Sequence, residues 1–250
     1  NWRPHTKGIK IPEISKMALE AGASGITCAK LSEAEIMAES GIGNILIANQ
    51  VVGTSKLERL CNLAEKIKVI VAVDDYGIAV QMANAAKLKH VSIGVLVEVN
   101  VGMDRAGVEP GLKTLDYCKS IIGLDGLNFE GLMAWEGHAA GITNSVEKKE
   151  TITESLRSLI DTVNMLEKEK IQLNIISGAG SGTYKISTDF HIYNEIQAGG
   201  AIFTDQAYKS WGVSTQPSLF VRSSITSRPT VRRIITDAGF KTLPGWIAEP

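Results

Sequence analysis

The sequence predicts an α/β fold, a (β/α)8 TIM barrel, and three observations point to it. Eight short apolar runs recur at residues 5–9, 25–29, 44–48, 69–73, 91–99, 129–135, 173–177 and 195–203. Stretches with apolar residues at helical spacing separate them. Polar side chains gather just after almost every run, where the loops of a barrel carry chemistry. The runs are mostly continuous in apolar content, as parallel strands covered on both faces should be. An open doubly wound sheet competes with the barrel, and the strand count and even spacing favour the barrel.

The first run contains RPHTKG, at residues 3–8. Strand alternation puts His5, Lys7 and Ile9 on one face and Pro4, Thr6 and Gly8 on the other. PEISKMALEAG follows, with Ile14, Met17, Ala18 and Ala21 at helical spacing, Pro12 near the start and Gly22 past the end. LSEAEIMAESG pairs Ser32 with Glu35 in a capping box and stops at Gly41. A third helix is expected over 55–66. After residue 212 the texture changes. SLFVRSSITSRPTVRRIITDAGFKTL alternates apolar and polar residues, which reads as antiparallel β structure. Two or three strands do not make an independently stable sheet. The expected organisation is a barrel over 1–212 and the incomplete start of a β-rich domain over 213–250.

The bulk numbers narrow the function. The chain has 250 residues, 44% of them hydrophobic, enough for a sizeable core. A net charge of -1 argues against a general nucleic-acid or membrane-surface role. Cys28, Cys61 and Cys118 lie far apart in apolar runs, which suggests buried free thiols and a reducing, cytoplasmic setting. No apolar run approaches the roughly 20 residues of a membrane helix, and no signal peptide is visible. The first residue is Asn1, so a preceding segment is expected.

The polar groups after the runs are His5 and Lys7, Lys30, Asn49, Asp74 and Asp75, Asn100, Asp104 and Arg105, then Trp135, Glu136 and His138, the loop SGAGSGT, and Asp205 with Tyr208. In the loop Ser177-Gly178-Ala179-Gly180-Ser181-Gly182-Thr183, alternating glycines let backbone N–H groups approach an anion, and hydroxyls add donors. Its place after the seventh run matches the usual phosphate site of barrels; a flexible glycine turn is the plainer reading. The Gly-Lys-Ser/Thr ending of a Walker loop is absent. Lys7 fits a Schiff-base former whose basicity is lowered by Arg3, His5 and Lys10, and it equally fits a lysine snorkelling to solvent. Trp135 fits a plate against a flat cofactor ring or a core aromatic. Together these residues suggest pyridoxal phosphate, with a cofactor-free phosphosugar aldolase as a further option.

RPHTKG, GITCAKLSEAE, ILIANQVVG, VEVNVGMDRAGVEPG, FEGLMAWEGH, ISGAGSGTY, EIQAGGAIFTD and IITDAGFK together resemble the D-threonine aldolase and D-serine dehydratase group, across essentially the whole chain. That group has the alanine-racemase-like, fold-type-III barrel of pyridoxal-phosphate enzymes. The resemblance implies that Lys7 forms the imine and that Arg105 bonds the cofactor's phenolic oxygen. It implies that Trp135 stacks on the pyridine ring and that Gly180, Ser181, Gly182 and Thr183 hold the phosphate. Gln197 falls near the position where racemases place an arginine facing the pyridine nitrogen. His5 joins Lys7 as a catalytic candidate. The implied activity is retro-aldol cleavage of D-3-hydroxy amino acids, above all D-threonine, to glycine and an aldehyde. Dehydration of D-serine to pyruvate and ammonia, and non-catalytic cofactor binding, are the alternatives. A homodimer and a divalent metal (Mn, Zn or Mg) are also implied. The family binds that metal through a His-x-Asp or His-x-Cys pair that these 250 residues lack.

Overall fold

The computed structural model describes residues 1–204 and 206–242. Asp205 and residues 243–250 of the expected β domain lie outside the described residues. The chain forms two compact units, Asn1–Gly200 and Ala201–Pro250.

The first unit holds seven parallel strands in sequential order: β1 (Ile26–Cys28), β2 (Asn44–Ile47), β3 (Lys68–Val73), β4 (Ile93–Val99), β5 (Leu127–Ala134), β6 (Ile175–Gly178) and β7 (Glu195–Ile196). The segment 2–5 supplies the eighth stave. The Arg3 N–H donates to the Ile196 carbonyl at 2.9 Å and the His5 N–H to that of Gln197 at 3.0 Å. On the other side, Ser24 N–H donates to the Trp2 carbonyl and Thr27 N–H to that of Pro4. These bonds join β7 to β1 and close the ring of the barrel.

The continuous apolar strands are explained by two buried faces. Ile45, Ile47, Val69, Val71, Val95 and Val97 pack outward under the helices. Leu46, Ile70, Ala72, Leu96 and Met133 fill the barrel interior. Each fully buried side chain of this size stabilises the fold by about 1.5–3 kcal/mol. The helices begin with α1 (Pro12–Glu20), α2 (Leu31–Glu39) and α3 (Thr54–Ala64), followed by α4 (Tyr76–Leu88), α5 (Leu112–Ile121), α6 (Ser145–Lys168) and the single turn α7 (Tyr184–Ser187). A bulge shifts the β4–β5 register, so that Val95 faces Phe129 but Leu96 faces Gly131. Gly131 has φ +140°, and a Cβ there would sit 2.0 Å from the Ile175 carbonyl oxygen.

Four local expectations are corrected. The run 5–9 is not a strand beyond His5, because Thr6–Gly8 form a 3-10 turn. The turn is fixed by the Thr6 hydroxyl, which donates to the Thr27 carbonyl, and by His5 Nδ1, which accepts the Lys7 N–H. His5, Lys7 and Ile9 therefore do not share a strand face. The run 195–203 pairs only over Glu195–Ile196 before Gly199 packs against His5, where a Cβ would lie 2.0 Å from the His5 carbonyl oxygen. Ser32 and Glu35 do not make the capping box, since Lys30 is the N-cap of α2. Glu33 instead accepts the Ala29 N–H at 3.0 Å, while Glu35 pairs with Arg59.

In the second unit, β8 (Ile225–Thr230) and β9 (Arg233–Thr236) form the expected antiparallel pair. The helix α8 (Gln206–Ser210) precedes them and carries Tyr208, whose ring meets Trp211 edge-on.

Candidate active site

The C-terminal ends of the strands form one mouth, and Trp135 is its landmark. It follows β5, downstream of the bulge, and is half-buried rather than a core residue. Two cations converge on its ring. Lys7 Nζ lies 4.7 Å from the ring centroid and the Arg105 guanidinium carbon 5.2 Å. Such placements are attractive for each cation separately, and they bring the two positive charges together.

That crowding sets the chemistry of Lys7. Burial lowers its pKa, and the charge of Arg105 lowers it further. His5 is pushed down to about 3, first by burial and then by the charge of Lys7. It is therefore a neutral imidazole. Because Nδ1 accepts the Lys7 N–H, the ring proton sits on Nε2, which is left as a donor. The expected electrostatic setting of Lys7 is thus corrected. Arg3 points into the barrel and pairs with Glu195 at 2.8 Å, Lys10 pairs with Glu33, and His5 carries no charge. Arg105, from a different strand end, does the work assigned to them.

Gly180, Ser181, Gly182 and Thr183 line the turn between β6 and α7. Thr183 Oγ1 accepts the Gly180 N–H at 3.1 Å, and the Gly180 carbonyl accepts from Thr183 and Tyr184. The glycines do more than free the backbone. A Cβ on Gly180 would come within 2.9 Å of Trp135 Nε1, and one on Gly182 within 2.9 Å of Ala140 Cβ. The turn and the loop after β5 fit against each other only without those side chains. Gln197 is buried at the end of β7. Its Nε2 lies 3.0 Å from Ser177 Oγ, which lies 2.8 Å from Glu195 Oε1. A carboxylate only accepts, so the Ser177 hydrogen goes to Glu195 and the Gln197 amide must donate. The ion pair with Arg3 thereby fixes the amide orientation of Gln197.

One group in the mouth, Glu98, was not singled out by sequence. Glu98 is 5% exposed and carries a carboxyl pushed up by burial. It accepts from Gln50 Nε2 at 2.7 Å and lies 3.5 Å from Arg105 Nη2. The only sequence signal is a lone acid in the β4 run IGVLVEV. Glu136 is fully buried and accepts from Ser187 Oγ at 2.6 Å and Tyr193 Oη at 2.9 Å, binding the loop after β5 to the segment after the glycine turn. Asp75, listed by sequence among the polar strand ends, is an N-cap whose Oδ1 accepts the Ile78 N–H. His138 lies 3.4 Å from Ser155 Oγ. Among the described residues, no group of three or more His, Cys, Asp or Glu could hold a metal ion, and no helix is long and apolar enough to cross a membrane.

Comparison with known proteins agrees with this architecture. The sequence profile of the alanine racemase N-terminal domain matches residues 5–207. The chain belongs to the alanine racemase N-terminal domain family. As a member of that family it is 36% identical over 252 residues to a D-threonine aldolase of Arthrobacter sp, covering 99% of this chain and 66% of the relative. It is 28% identical over 254 residues to a 3-hydroxy-D-aspartate aldolase of Paracoccus denitrificans (strain Pd 1222), covering 96% and 65%. Among solved structures, D-threonine aldolase from Filomicrobium marinum superposes with a TM-score of 0.93 at 33% identity, covering all of this chain and 69% of that one. The chain thus spans just under two thirds of the length of the curated relatives it matches.

Proposed function

We propose that this chain forms the cofactor barrel of a pyridoxal-phosphate-dependent lyase that cleaves D-3-hydroxy amino acids, with D-threonine as the leading substrate. The observation that carries this reading is the convergence of Lys7 and Arg105 on Trp135 beside the glycine turn, in a family member 36% identical to a D-threonine aldolase. The donor set suits a phosphorylated aldehyde with a flat ring. Lys7 offers an amine that is neutral at lower pH than an ordinary lysine, which suits attachment to an aldehyde. The turn at 180–183 would hold the phosphate, Trp135 would take the flat ring, and Arg105 would bond the phenolic oxygen. Gln197, whose amide is held by Ser177, would meet the ring nitrogen.

When bound, pyridoxal phosphate supplies an electron-withdrawing ring that stabilises negative charge at the substrate Cα. The protein's share is orientation and proton placement. Lys7 is the mobile amine of the site. His5 holds the Lys7 turn through Nδ1, which leaves its Nε2–H as the group able to donate. Arg105 keeps a positive charge over the mouth. The same reading includes a divalent metal and a homodimer, so assays are run with and without Mn²⁺, and light scattering gives the assembly.

The decisive test has two steps. Purified protein with added pyridoxal phosphate should develop the visible absorbance of bound cofactor, and Lys7→Ala should not. D-Threonine should then yield glycine and acetaldehyde. Pyruvate and ammonia from D-serine in place of those products would make it a dehydratase, and cofactor binding without turnover would make it a carrier.

A further inference from the structure

Glu98 has no part in the function proposed above, yet it is one of the most constrained groups in the mouth. It is the only charged residue in the β4 segment Ile93–Val99. A buried carboxyl there is costly unless it is paired and hydrogen-bonded. Its partners are specific. Gln50 Nε2 donates to Glu98 Oε2 at 2.7 Å and to Asp74 Oδ2 at 3.1 Å, so one amide braces two carboxylates. Asp74 Oδ2 also accepts the Gly107 N–H at 2.9 Å. Gly107 stands two residues past Arg105, at φ +107°, where a Cβ would lie 2.8 Å from the Asn100 nitrogen. The Val108 N–H returns to the Glu98 carbonyl at 2.8 Å. The backbone just after Arg105 is therefore tied to the ends of β3 and β4.

The Arg105 side chain itself is different. It is 51% exposed, and Glu98 is its ion-pair partner among the described residues. Without that carboxylate, hydration would draw the guanidinium outward, away from Trp135. We propose that Glu98 is a positioning residue for Arg105: braced by Gln50 and Asp74, its carboxylate holds the guanidinium over Trp135, beside Lys7. What this placement does for the cofactor rests on the function proposed above; the placement itself does not.

Lys7 is a built-in reporter, because Arg105 helps to lower its pKa. The charged groups facing this cluster are Arg105, Glu98 and Asp74, together with Glu33 and Lys10, which act on the neutral His5. The full chain, free of cofactor, is acetylated with acetic anhydride across a pH series, and Lys7 acetylation is read by peptide mass spectrometry. In Glu98→Gln the apparent pKa of Lys7 should rise toward its value in Arg105→Ala. Adding Glu98→Gln to Arg105→Ala should change nothing further. A carboxylate acting only as a nearby charge predicts the reverse, since its removal would lower the Lys7 pKa. A fall, no change, or an equal shift in the Arg105→Ala background overturns the proposal. Melting temperatures check the fold; if Glu98→Gln unfolds, Asp74→Asn gives the same readout, a rise supporting the proposal and a fall or no change overturning it. Added pyridoxal phosphate should bind about tenfold more weakly to Glu98→Gln, a loss that corresponds to one good charged contact. A native chain that binds no pyridoxal phosphate refutes the proposed function, while the Lys7 titration still judges Glu98.

Discussion

His5 links the chemistry of the mouth to stability. Its folded pKa is about 3, against 6.5 for a free imidazole. Above 6.5 neither state binds the proton and the fold loses nothing. As pH falls from 6.5 toward 3, the unfolded chain takes up a proton that the folded chain refuses. Stability then falls by up to ~1.4 kcal/mol per pH unit. His5→Asn should flatten that slope. Urea midpoints at pH 7 and pH 5 check it: the variant should lose less between them than the parent does, and parallel losses would refute it. Gln197 makes a second case. Gln197→Glu would set a carboxylate against Ser177, whose one hydrogen already goes to Glu195. The cost should be about 1–3 kcal/mol in urea denaturation, with Gln197→Met milder. Lys7, Arg105, Trp135 and the glycine turn were legible because each is an unusual residue type at a strand end. Glu98 was not, because its meaning lies in a partner 48 positions away, Gln50, and Glu136 was legible as a strand-end acid but its partner Ser187, 51 positions away, was not. The charge of Arg3 was legible but its destination was not. A residue beside a lysine in sequence can face the opposite end of a barrel.

The bulge in β5 decides where Trp135 goes. It inserts one residue opposite β4 and re-aims everything after it. Gly131 permits this, since any Cβ would strike the backbone of Ile175, which has no room to yield. Gly131→Ala should cost about 3 kcal/mol or more and shift the Trp135 fluorescence, read by urea denaturation and emission spectra. A variant with native midpoint and spectrum would show that the β5–β6 contact is looser than described. The glycine turn predicts a milder outcome. A Cβ on Gly180 meets one indole edge, so Gly180→Ala should displace that ring with a smaller loss of stability. The strands were easy to find because helices and interior side chains bury both faces, which leaves long unbroken apolar runs. The two ends of the barrel were found as the runs 5–9 and 195–203, but with the wrong bounds. Segments 2–5 and 195–197 close the ring with only a few hydrogen bonds, too short for periodicity to fix where they start and stop. The cap of α2 was displaced because Glu33 satisfies the Ala29 N–H, a choice that spacing alone does not reveal.

Closure of the barrel depends on joining residues far apart in the chain. Arg3 and Glu195 are separated by 192 positions, and both side chains are almost fully buried, at 3% and 4% exposure. The pair lies where the first stave meets β7, and Asn44 Oδ1 and Ser177 Oγ complete its hydrogen bonding. A cross-chain contact of this kind forms late, because the intervening chain must already be ordered before it is rewarded. Removing one partner leaves the other charge buried and uncompensated, which costs about 3–5 kcal/mol. Arg3→Met should therefore destabilise the protein strongly. Arg3→Met combined with Glu195→Met should be less damaging than the sum of the two, since the second change removes the orphaned charge. The location of the damage is equally specific. Amide hydrogen exchange in Arg3→Met should rise first at position 3 and at His5, Ser24 and Thr27, whose N–H groups make the seam, while β3 and β4 stay protected. Uniform loss of protection would mean that the ring opens as one unit and that the seam is no weaker than the rest. Lys7 sits two residues beyond the seam, so local opening should also relax its environment. In the same variant its acetylation should shift to the pH range of an ordinary exposed lysine, even at temperatures where β3 and β4 remain folded.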